Sequence, residues 1–176
     1  MKDAQKNAEI AKLVVAAQAG KEAAFGSLVR ATQDDLFRFL MFLVGNRQLA
    51  QDIAQDAYIK AIENLASLRE PGAFLGWLFR LAKNLYLDHV RSPKNAEALD
   101  VQELVDLAAE PDQAEAMLEI RDLLEPLTPE DRYGFLLVYL QGYSYAEAAT
   151  LVGISENAMR SRLHRARNNI DRKSVV

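Results

Sequence analysis

The chain has 176 residues, half of them apolar, and its 21 Lys and Arg against 25 Asp and Glu give a formal net charge of −4. This length suits one medium domain or two small ones. The absence of cysteine excludes disulfides and thiolate metal sites and fits a reducing compartment. No apolar run approaches the roughly 18 residues that span a membrane, and the N-terminus has no apolar signal core, so we expect a cytoplasmic protein that is not inserted in a membrane.

Helical spacing dominates the sequence. Apolar residues recur at intervals of three and four, Ala and Leu are abundant, and strand signals are weak. We therefore predict an all-α protein. The expected helices cover 7–19, 22–32, 34–45, 48–66, 72–91, 113–125, 129–140, 144–152 and 155–171. Asp34 and Asp35 stand at the start of the third helix, where acids interact favourably with the helix dipole.

The helix predicted over 48–66 has an apolar side and a mildly acidic, amide-rich side. The residues expected to face inward are Ile53, Ala54, Ala57, Ala61 and Leu65. The outward polar residues are Gln48, Asp52, Gln55, Asp56 and Glu63. Such a surface is most often simply solvated, and its functional alternative is a docking site for a basic protein partner.

The helix predicted over 72–91 carries two stripes. The expected core stripe consists of Leu75, Leu78, Ala82, Leu85 and His89. A second stripe consists of Trp77, Arg80, Asn84, Asp88 and Arg91. Guanidinium, amide and aromatic groups together suit nucleic acid, because arginine pairs with phosphate and aromatic rings stack on bases. The alternative is that Trp77 belongs to the core and that Arg80 pairs with Asp88 or Asp56.

An acidic segment follows this helix. Between Ser92 and Glu115 one lysine, Lys94, stands among seven acids, and the dipeptides Ser92-Pro93 and Glu110-Pro111 bracket the segment. Proline disfavours helix in the preceding residue. The composition predicts a solvated linker, which divides the chain into an N-terminal module (1–91), a linker (92–115) and a C-terminal module (116–176).

The C-terminal module contains the clearest signal in the chain, a helix, a turn and a basic helix. Ser144 and Ser155 are expected to cap the two helices, and Gly153 suits the left-handed stop between them. The first helix has an apolar stripe of Tyr145, Ala148, Ala149 and Val152, and the second has one of Met159, Leu163, Ala166 and Ile170. Six Lys and Arg lie against two acids in 156–173, although the whole chain is acidic. Such local placement of positive charge is what phosphate binding requires, and the pattern predicts a helix-turn-helix. The alternative is an amphipathic hairpin with solvated arginines.

Two stretches together resemble the extracytoplasmic-function (ECF, group IV) sigma factors of bacterial RNA polymerase. One is LAQDIAQDAYIKAIENL followed by FLGWLFRLAKNLYLDHVR, and the other is LEPLTPEDRYGFLLVYLQGYSYAEAATLVGISENAMRSRLHRAR. The resemblance covers about 22–91 and 115–171. It implies that the first module binds the largest polymerase subunit and opens the −10 promoter element, and that the second binds the −35 element and the other large subunit. An anti-sigma factor is the expected inhibitor.

The resemblance also implies roles for individual residues. The implied polymerase-binding positions are Asp52, Gln55 and Asp56. The implied −10 region comprises the loop 67–73 with Trp77, Arg80, Lys83, Asn84 and Arg91. The implied −35 contacts are Arg160, Ser161, His164 and Arg165, with Arg162 and Arg167 on phosphate. The acidic linker is implied to pass through polymerase channels otherwise occupied by nucleic acid.

Three positions depart from the family pattern. Ala50-Gln51 replaces a frequent pair of acids before the polymerase-binding motif, which puts the strength of docking in doubt. Ala158-Met159 replaces the usual start of the recognition helix, and His164 occupies a variable position, so the −35 sequence does not transfer.

The function that we expect is promoter recognition without chemistry, and therefore neither a cofactor nor a small-molecule substrate. Two alternatives stay open, namely a sigma-like decoy that binds only an anti-sigma factor, and a stand-alone helix-turn-helix regulator. An enzyme is not expected, because the sequence shows no glycine-rich phosphate loop and no cluster with metal-ligand spacing.

Overall fold

The computed structural model describes residues 2–91, 120, 123, 124 and 126–173, and every regular element in them is helical. This confirms the all-α prediction. The chain divides into unit 1, Met1–Leu40 with Gln48–Ser92, and unit 2, Met41–Arg47 with Pro93–Val176. The predicted linker 92–115 lies outside the described residues, and the predicted module boundaries stay a prediction.

Unit 1 is built from four helices and two short 3₁₀ turns. The helices are α1 (Lys2–Gln18), α2 (Glu22–Val44, whose last residues belong to unit 2), α3 (Arg47–Asn64) and α4 (Phe74–Arg91). The 3₁₀ turns, Leu65–Ser67 and Pro71–Ala73, connect α3 to α4. Each helix buries one apolar side, and the rings of Phe39 and Phe79 stack with centroids 4.5 Å apart at the centre. Burial of such aromatic surface is the main force holding the helices together.

The helix α2 is continuous, so the predicted break between 22–32 and 34–45 is wrong. Thr32 is fully buried, and its hydroxyl donates to the carbonyl of Leu28 at 2.8 Å, within the same helix. A threonine that bonds back one turn continues a helix and does not cap a new one. Asp35, expected at a helix start, instead pairs with Lys6 of α1 at 2.5 Å.

The inward side of α4 differs in part from the prediction. Leu78 and Ala82 are fully buried as expected, whereas Leu75, Leu85 and His89 are only half-buried. Larger rings complete the buried side, namely Phe74, Phe79 and Tyr86. Phe79, the residue after Leu78, also faces the core, where its ring stacks on that of Phe39.

Unit 2 contains the predicted helix-turn-helix. Besides the end of α2, the helices whose bounds the described residues give are α5 (Pro129–Phe135), which continues as a π-helical turn over Leu136–Leu140, α6 (Tyr145–Val152) and α7 (Glu156–Lys173). The π turn falls within the single helix predicted over 129–140. Most of the helix predicted over 113–125 lies outside the described residues.

A glycine sets the distance between α5 and α7. A Cβ atom placed on Gly134 would lie 3.1 Å from Sδ and 3.2 Å from Cε of Met159. Met159 and the neighbouring Leu163 are each 1% exposed. The basic helix therefore packs against α5 at a position where no larger side chain fits without movement.

Candidate nucleic-acid interfaces

The first helix of the helix-turn-helix begins with a complete capping box. The Ser144 hydroxyl oxygen accepts from the Glu147 backbone N–H at 3.2 Å, and Glu147 Oε2 accepts from the Ser144 N–H at 2.8 Å and from its hydroxyl at 2.7 Å. The hydrogen bonds from the Ser144 hydroxyl and then from its backbone N–H hold the pKa of Glu147 below its usual value of 4.5. The predicted Ser144 cap is confirmed, and it fixes where α6 starts.

The turn between the helices also follows the prediction. Gly153 adopts φ of 82°, in the left-handed region that glycine enters at no steric cost. Its N–H donates to the Ala149 carbonyl at 2.8 Å, and Ser155 Oγ then accepts from the Ala158 N–H at 3.2 Å. Both predicted signals are confirmed, and together they set the angle at which α7 leaves α6.

The apolar stripe of α7 is confirmed for Met159, Leu163 and Ala166, which are at most 3% exposed. The side chain of Ile170 lies outside the described residues. The predicted DNA-contacting residues Arg160, Ser161, His164, Arg165 and Arg167 are exposed, and Arg162 is half-buried. With its inner side buried, α7 presents a continuous polar and cationic outer side of the size that enters a major groove.

One edge of this outer side carries tyrosines that the sequence analysis did not assign to it. The Arg160 guanidinium donates to Glu156 Oε1 at 2.6 and 3.0 Å and lies 4.7 Å from the Tyr145 ring centroid. The hydroxyls of Tyr139 and Tyr145 are 3.3 Å apart. This hydrogen bond, and then burial, raise the pKa of Tyr139, whereas Arg167 acts to lower it. This edge of α7 therefore brings together Tyr139, Tyr145, Arg160 and Arg167.

The other edge contains Arg162 and a carboxylate. Arg162 Nη1 lies 3.8 Å from Asp131 Oδ1, and both side chains are about one-third exposed. They line a groove of about 630 Å³ between α7 and the start of α5, together with Arg165. The charge of Arg162 is thus partly balanced within unit 2, as that of Arg160 is by Glu156.

In unit 1 the predicted −10 loop, 67–73, runs from the last residue of the first 3₁₀ turn to the end of the second. Arg69, Glu70 and Gly72 are exposed within it. The loop is held from outside by Gln18 of α1, whose Nε2 donates to the carbonyls of Leu65 at 2.9 Å and Leu68 at 2.8 Å. No local sequence signal marks this contact, because Gln18 lies about fifty residues earlier in the chain.

The predicted stripe of α4 continues from this loop. Arg80, Asn84 and Arg91 are exposed, and Lys83 is half-buried. Trp77 is also half-buried, with its ring 6.0 Å from that of Phe74, so it is neither a fully buried core residue nor a free surface ring. Asp88 Oδ1 lies 3.9 Å from Nη1 of Arg91, so Asp88 forms its ion pair with Arg91 of the same helix.

The predicted partner-binding face on α3 is fully on the surface. Asp52, Gln55 and Asp56 are exposed, and Asp52 accepts a hydrogen bond from Gln48 at 3.0 Å. On the opposite side Ile53, Ala57, Ala61 and Leu65 are buried as predicted, while Ala54 is half-buried. The acidic residues therefore project from a helix that is firmly anchored on its other side.

Two family models match the chain. Residues 28–96 match sigma-70 region 2, and residues 117–170 match sigma-70 region 4. The first match includes the loop, α4 and the acidic face of α3. The second includes the capped helix-turn-helix.

Curated relatives match along most of this chain. ECF RNA polymerase sigma factor SigM of Mycobacterium tuberculosis is 31% identical over 92% of this chain and 83% of its own length. The probable RNA polymerase sigma factor RfaY of Xanthomonas campestris is 32% identical over 88% of this chain. ECF RNA polymerase sigma factor BldN of Streptomyces coelicolor is 30% identical over 91% of it. The alignments span only 41% of RfaY and 64% of BldN.

Two solved structures share the fold. CnrH, in complex with the cytosolic domain of CnrY, superposes with a TM-score of 0.69 at 23% identity, covering 93% of this chain and 95% of that one. The sigma factor RpoE of Bartonella quintana, in complex with the anti-sigma factor NepR, superposes with a TM-score of 0.68 at 24% identity, covering 86% of this chain and 97% of that one. Among the described residues of the present chain, none of the helices has the length and apolar character to cross a membrane.

Proposed function

Since this chain belongs to the ECF RNA polymerase sigma factors of the sigma-70 family, we propose that it directs a bacterial core RNA polymerase to specific promoters and starts transcription there. The observation that carries this proposal is the presence of both required surfaces on one chain: the capped basic helix α7 in region 4, and the loop 67–73 with α4 in region 2. The polymerase supplies the chemistry of RNA synthesis. The site of action would be the cytoplasm.

We propose that α7 binds the −35 element through its outer side. Arg160, Ser161, His164 and Arg165 would contact base edges, and Arg162 and Arg167 would contact phosphate. Arginine suits this role because its planar group donates two parallel hydrogen bonds to guanine. The contact between Arg162 and Asp131 supports a weaker phosphate role for Arg162 than for Arg167, because part of its charge is already balanced.

Region 2 is proposed to open the −10 element. A base leaving the duplex would enter the exposed loop 67–73. Arg80, Lys83, Asn84 and Arg91 would follow the sugar-phosphate backbone, and the half-buried Trp77 would offer the accessible part of its ring for stacking. Unpairing a base costs a few kcal/mol of free energy. Binding of the unpaired base in the loop offsets this cost best when the loop already has the required shape.

Asp52, Gln55 and Asp56 are proposed to bind the largest subunit of the core polymerase. Their exposure on the anchored helix α3 and their negative charge support docking onto a basic partner surface. The polymerase would then hold both DNA-binding surfaces at once. Because each surface alone is small, the free chain is expected to bind promoter DNA weakly and the assembled enzyme strongly.

An anti-sigma factor is the proposed regulator. RpoE of B. quintana was solved with one, and CnrH was solved with the cytosolic domain of CnrY. The decoy alternative, in which the chain binds only an inhibitor, is less well supported, since such a protein needs no exposed arginines along α7.

Reconstitution tests the proposal. The purified chain is mixed with core polymerase, and run-off transcription is measured on a promoter selected by this mixture from a randomised library. Arg160→Ala and Arg165→Ala should each lower −35-dependent initiation by the equivalent of about 1–3 kcal/mol per lost base contact. Arg38→Ala, an exposed arginine of unit 1 outside the proposed contacts, is the matched control. A chain that neither joins the polymerase nor directs any start site would refute the proposal, and binding to an anti-sigma protein alone would favour the decoy.

A further inference from the structure

The loop 67–73 depends on a helix outside the matched region 2. That match begins at residue 28, whereas α1 ends at Gln18. Yet α1 packs beside the second 3₁₀ turn, and a groove of about 460 Å³ between them is lined by Ala11, Lys12 and Val15 on one side and by Pro71 and Gly72 on the other. The loop that would receive the −10 base is therefore supported by a segment to which no role is assigned.

The contact between α1 and the loop is specific in its chemistry. The Gln18 carboxamide nitrogen has two N–H donors, and its two hydrogen bonds go to the carbonyls of Leu65 and Leu68 at 2.9 and 2.8 Å. The Leu68 N–H itself donates to the Leu65 carbonyl at 3.1 Å. One side chain thus joins both ends of the turn that precedes Arg69. A glutamate has the same length but only accepts hydrogen bonds, and an asparagine is one carbon shorter.

Gln18 is itself held in a fixed place. Earlier in α1, Ile10 and Val14 are at most 2% exposed, and Lys6 pairs with Asp35 of α2. Directly after Gln18 the helix stops at Gly20, which adopts φ of 84°. Because α1 is packed along its length and ended sharply, the carboxamide acts as a fixed point for the loop and does not simply follow its movement.

We propose that Gln18 is a positioning residue that holds the loop 67–73 in its base-receiving shape, and that it thereby sets how strongly the protein discriminates the captured −10 base. This inference rests on the proposed function of the loop. A pre-shaped pocket distinguishes bases by contacts that are already in place, whereas a loosened loop adapts to wrong bases and loses that difference.

The first test is amide hydrogen exchange on the free, full chain. Gln18→Met keeps the side-chain length but removes both donors, and we expect the Leu68 amide to exchange about three- to tenfold faster, as loss of one or two exposed hydrogen bonds implies. Amides of the buried part of α4 should keep their rates. Gln33→Met is the matched control, since Gln33 is exposed on α2 and makes no hydrogen bond to the described residues. Unchanged exchange at Leu68 would overturn the inference.

The second test measures base discrimination. Reconstituted polymerase is assayed on the selected promoter and on copies with single substitutions in the −10 element, and the ratio of cognate to substituted initiation is recorded. Gln18→Met and Gln18→Glu should lower this ratio about threefold at the captured base, the size expected from one lost hydrogen bond. A merely structural defect lowers initiation on every promoter equally and leaves the ratio unchanged.

The outcomes separate this inference from the proposed function. If the unmutated chain shows no preference at the −10 element, the proposed function of the loop fails. If it shows a preference that both Gln18 variants retain, only the inference about Gln18 fails. Since Gln18 is exposed, both variants are expected to fold, and thermal unfolding confirms it before either assay.

Discussion

The guanidinium of Arg160 lies over the ring of Tyr145, joining the second turn of α7 to the first residue of α6. The same guanidinium donates to Glu156 one turn earlier. An aromatic face attracts a cation without neutralising its charge. Tyr145 thus orients the proposed base-contacting arginine without balancing its charge further than Glu156 already does.

Removing the ring should disturb this orientation. We expect Tyr145→Leu to weaken binding of the assembled polymerase to a −35 DNA fragment about threefold, the size of an exposed cation–π contact. Tyr145→Phe keeps the ring and loses only the hydroxyl contact to Tyr139, so its affinity should stay close to that of the unmutated protein. Fluorescence anisotropy measures both. Equal losses in the two variants would show that the hydroxyl, and not the ring, matters.

A larger side chain at Gly134 should separate α5 from α7. Gly134→Val places methyl groups against the Met159 thioether, and we expect the free energy of unfolding to fall by about 1–3 kcal/mol. In a Met159→Ala background the same substitution should cost less, because the opposing atoms are gone. Urea unfolding of the four proteins gives this double-mutant cycle. Additive losses would contradict the direct contact.

The capping box of α6 should make unit 2 sensitive to acid. The folded protein lowers the pKa of Glu147, so this carboxylate stabilises the fold above its usual value of 4.5, and that contribution is lost as the pH falls through the lower folded value. At neutral pH, Ser144→Ala should cost about 1 kcal/mol. The cost should shrink as the pH falls below 4.5 and the carboxylate is protonated. Urea unfolding across this pH range is the measurement, and a constant cost would exclude the ionised Glu147 as the cause.

The half-buried phenol of Tyr58 should affect stability in the alkaline range. Burial raises its pKa to about 12, and its hydroxyl lies 2.8 Å from that of Thr32. The folded state favours the neutral phenol, so stability is intact below a pH of about 10 and is lost as the pH rises toward about 12. Tyr58→Phe should remove this alkaline loss and cost about 1 kcal/mol at neutral pH. Ultraviolet titration of tyrosinate checks the pKa. A Tyr58→Phe variant that keeps the titration step near 12 would contradict the assignment.

The sequence predicts best those structural features that depend on residues close together in the chain, such as helix caps and turns. Thr128, Ser144 and Ser155 each accept from a backbone N–H three residues later, as their capping signals indicate. The left-handed turn at Gly153 and the buried stripe of α7 follow from equally local rules. The helix-turn-helix was therefore predictable almost residue by residue.

Contacts between distant residues escape such rules. The predicted break after residue 32 takes no account of the burial of Thr32 beside Tyr58. Gln18 likewise resembles any surface glutamine until the loop carbonyls are placed beside it. Arg162 has the same chemical type as Arg165, but Arg162 lies near Asp131, thirty-one positions earlier in the chain, whereas Arg165 is exposed. These features depend on tertiary packing, which periodicity does not specify.

The three caps of α5, α6 and α7 have a kinetic consequence. Each joins residues three positions apart, and the helices that they begin follow one another with short turns between them. Proteins dominated by such short-range contacts refold on the microsecond to millisecond scale. After thermal unfolding the arginine-bearing helix is therefore expected to regain its shape quickly, which shortens the time during which its apolar stripe is open to aggregation.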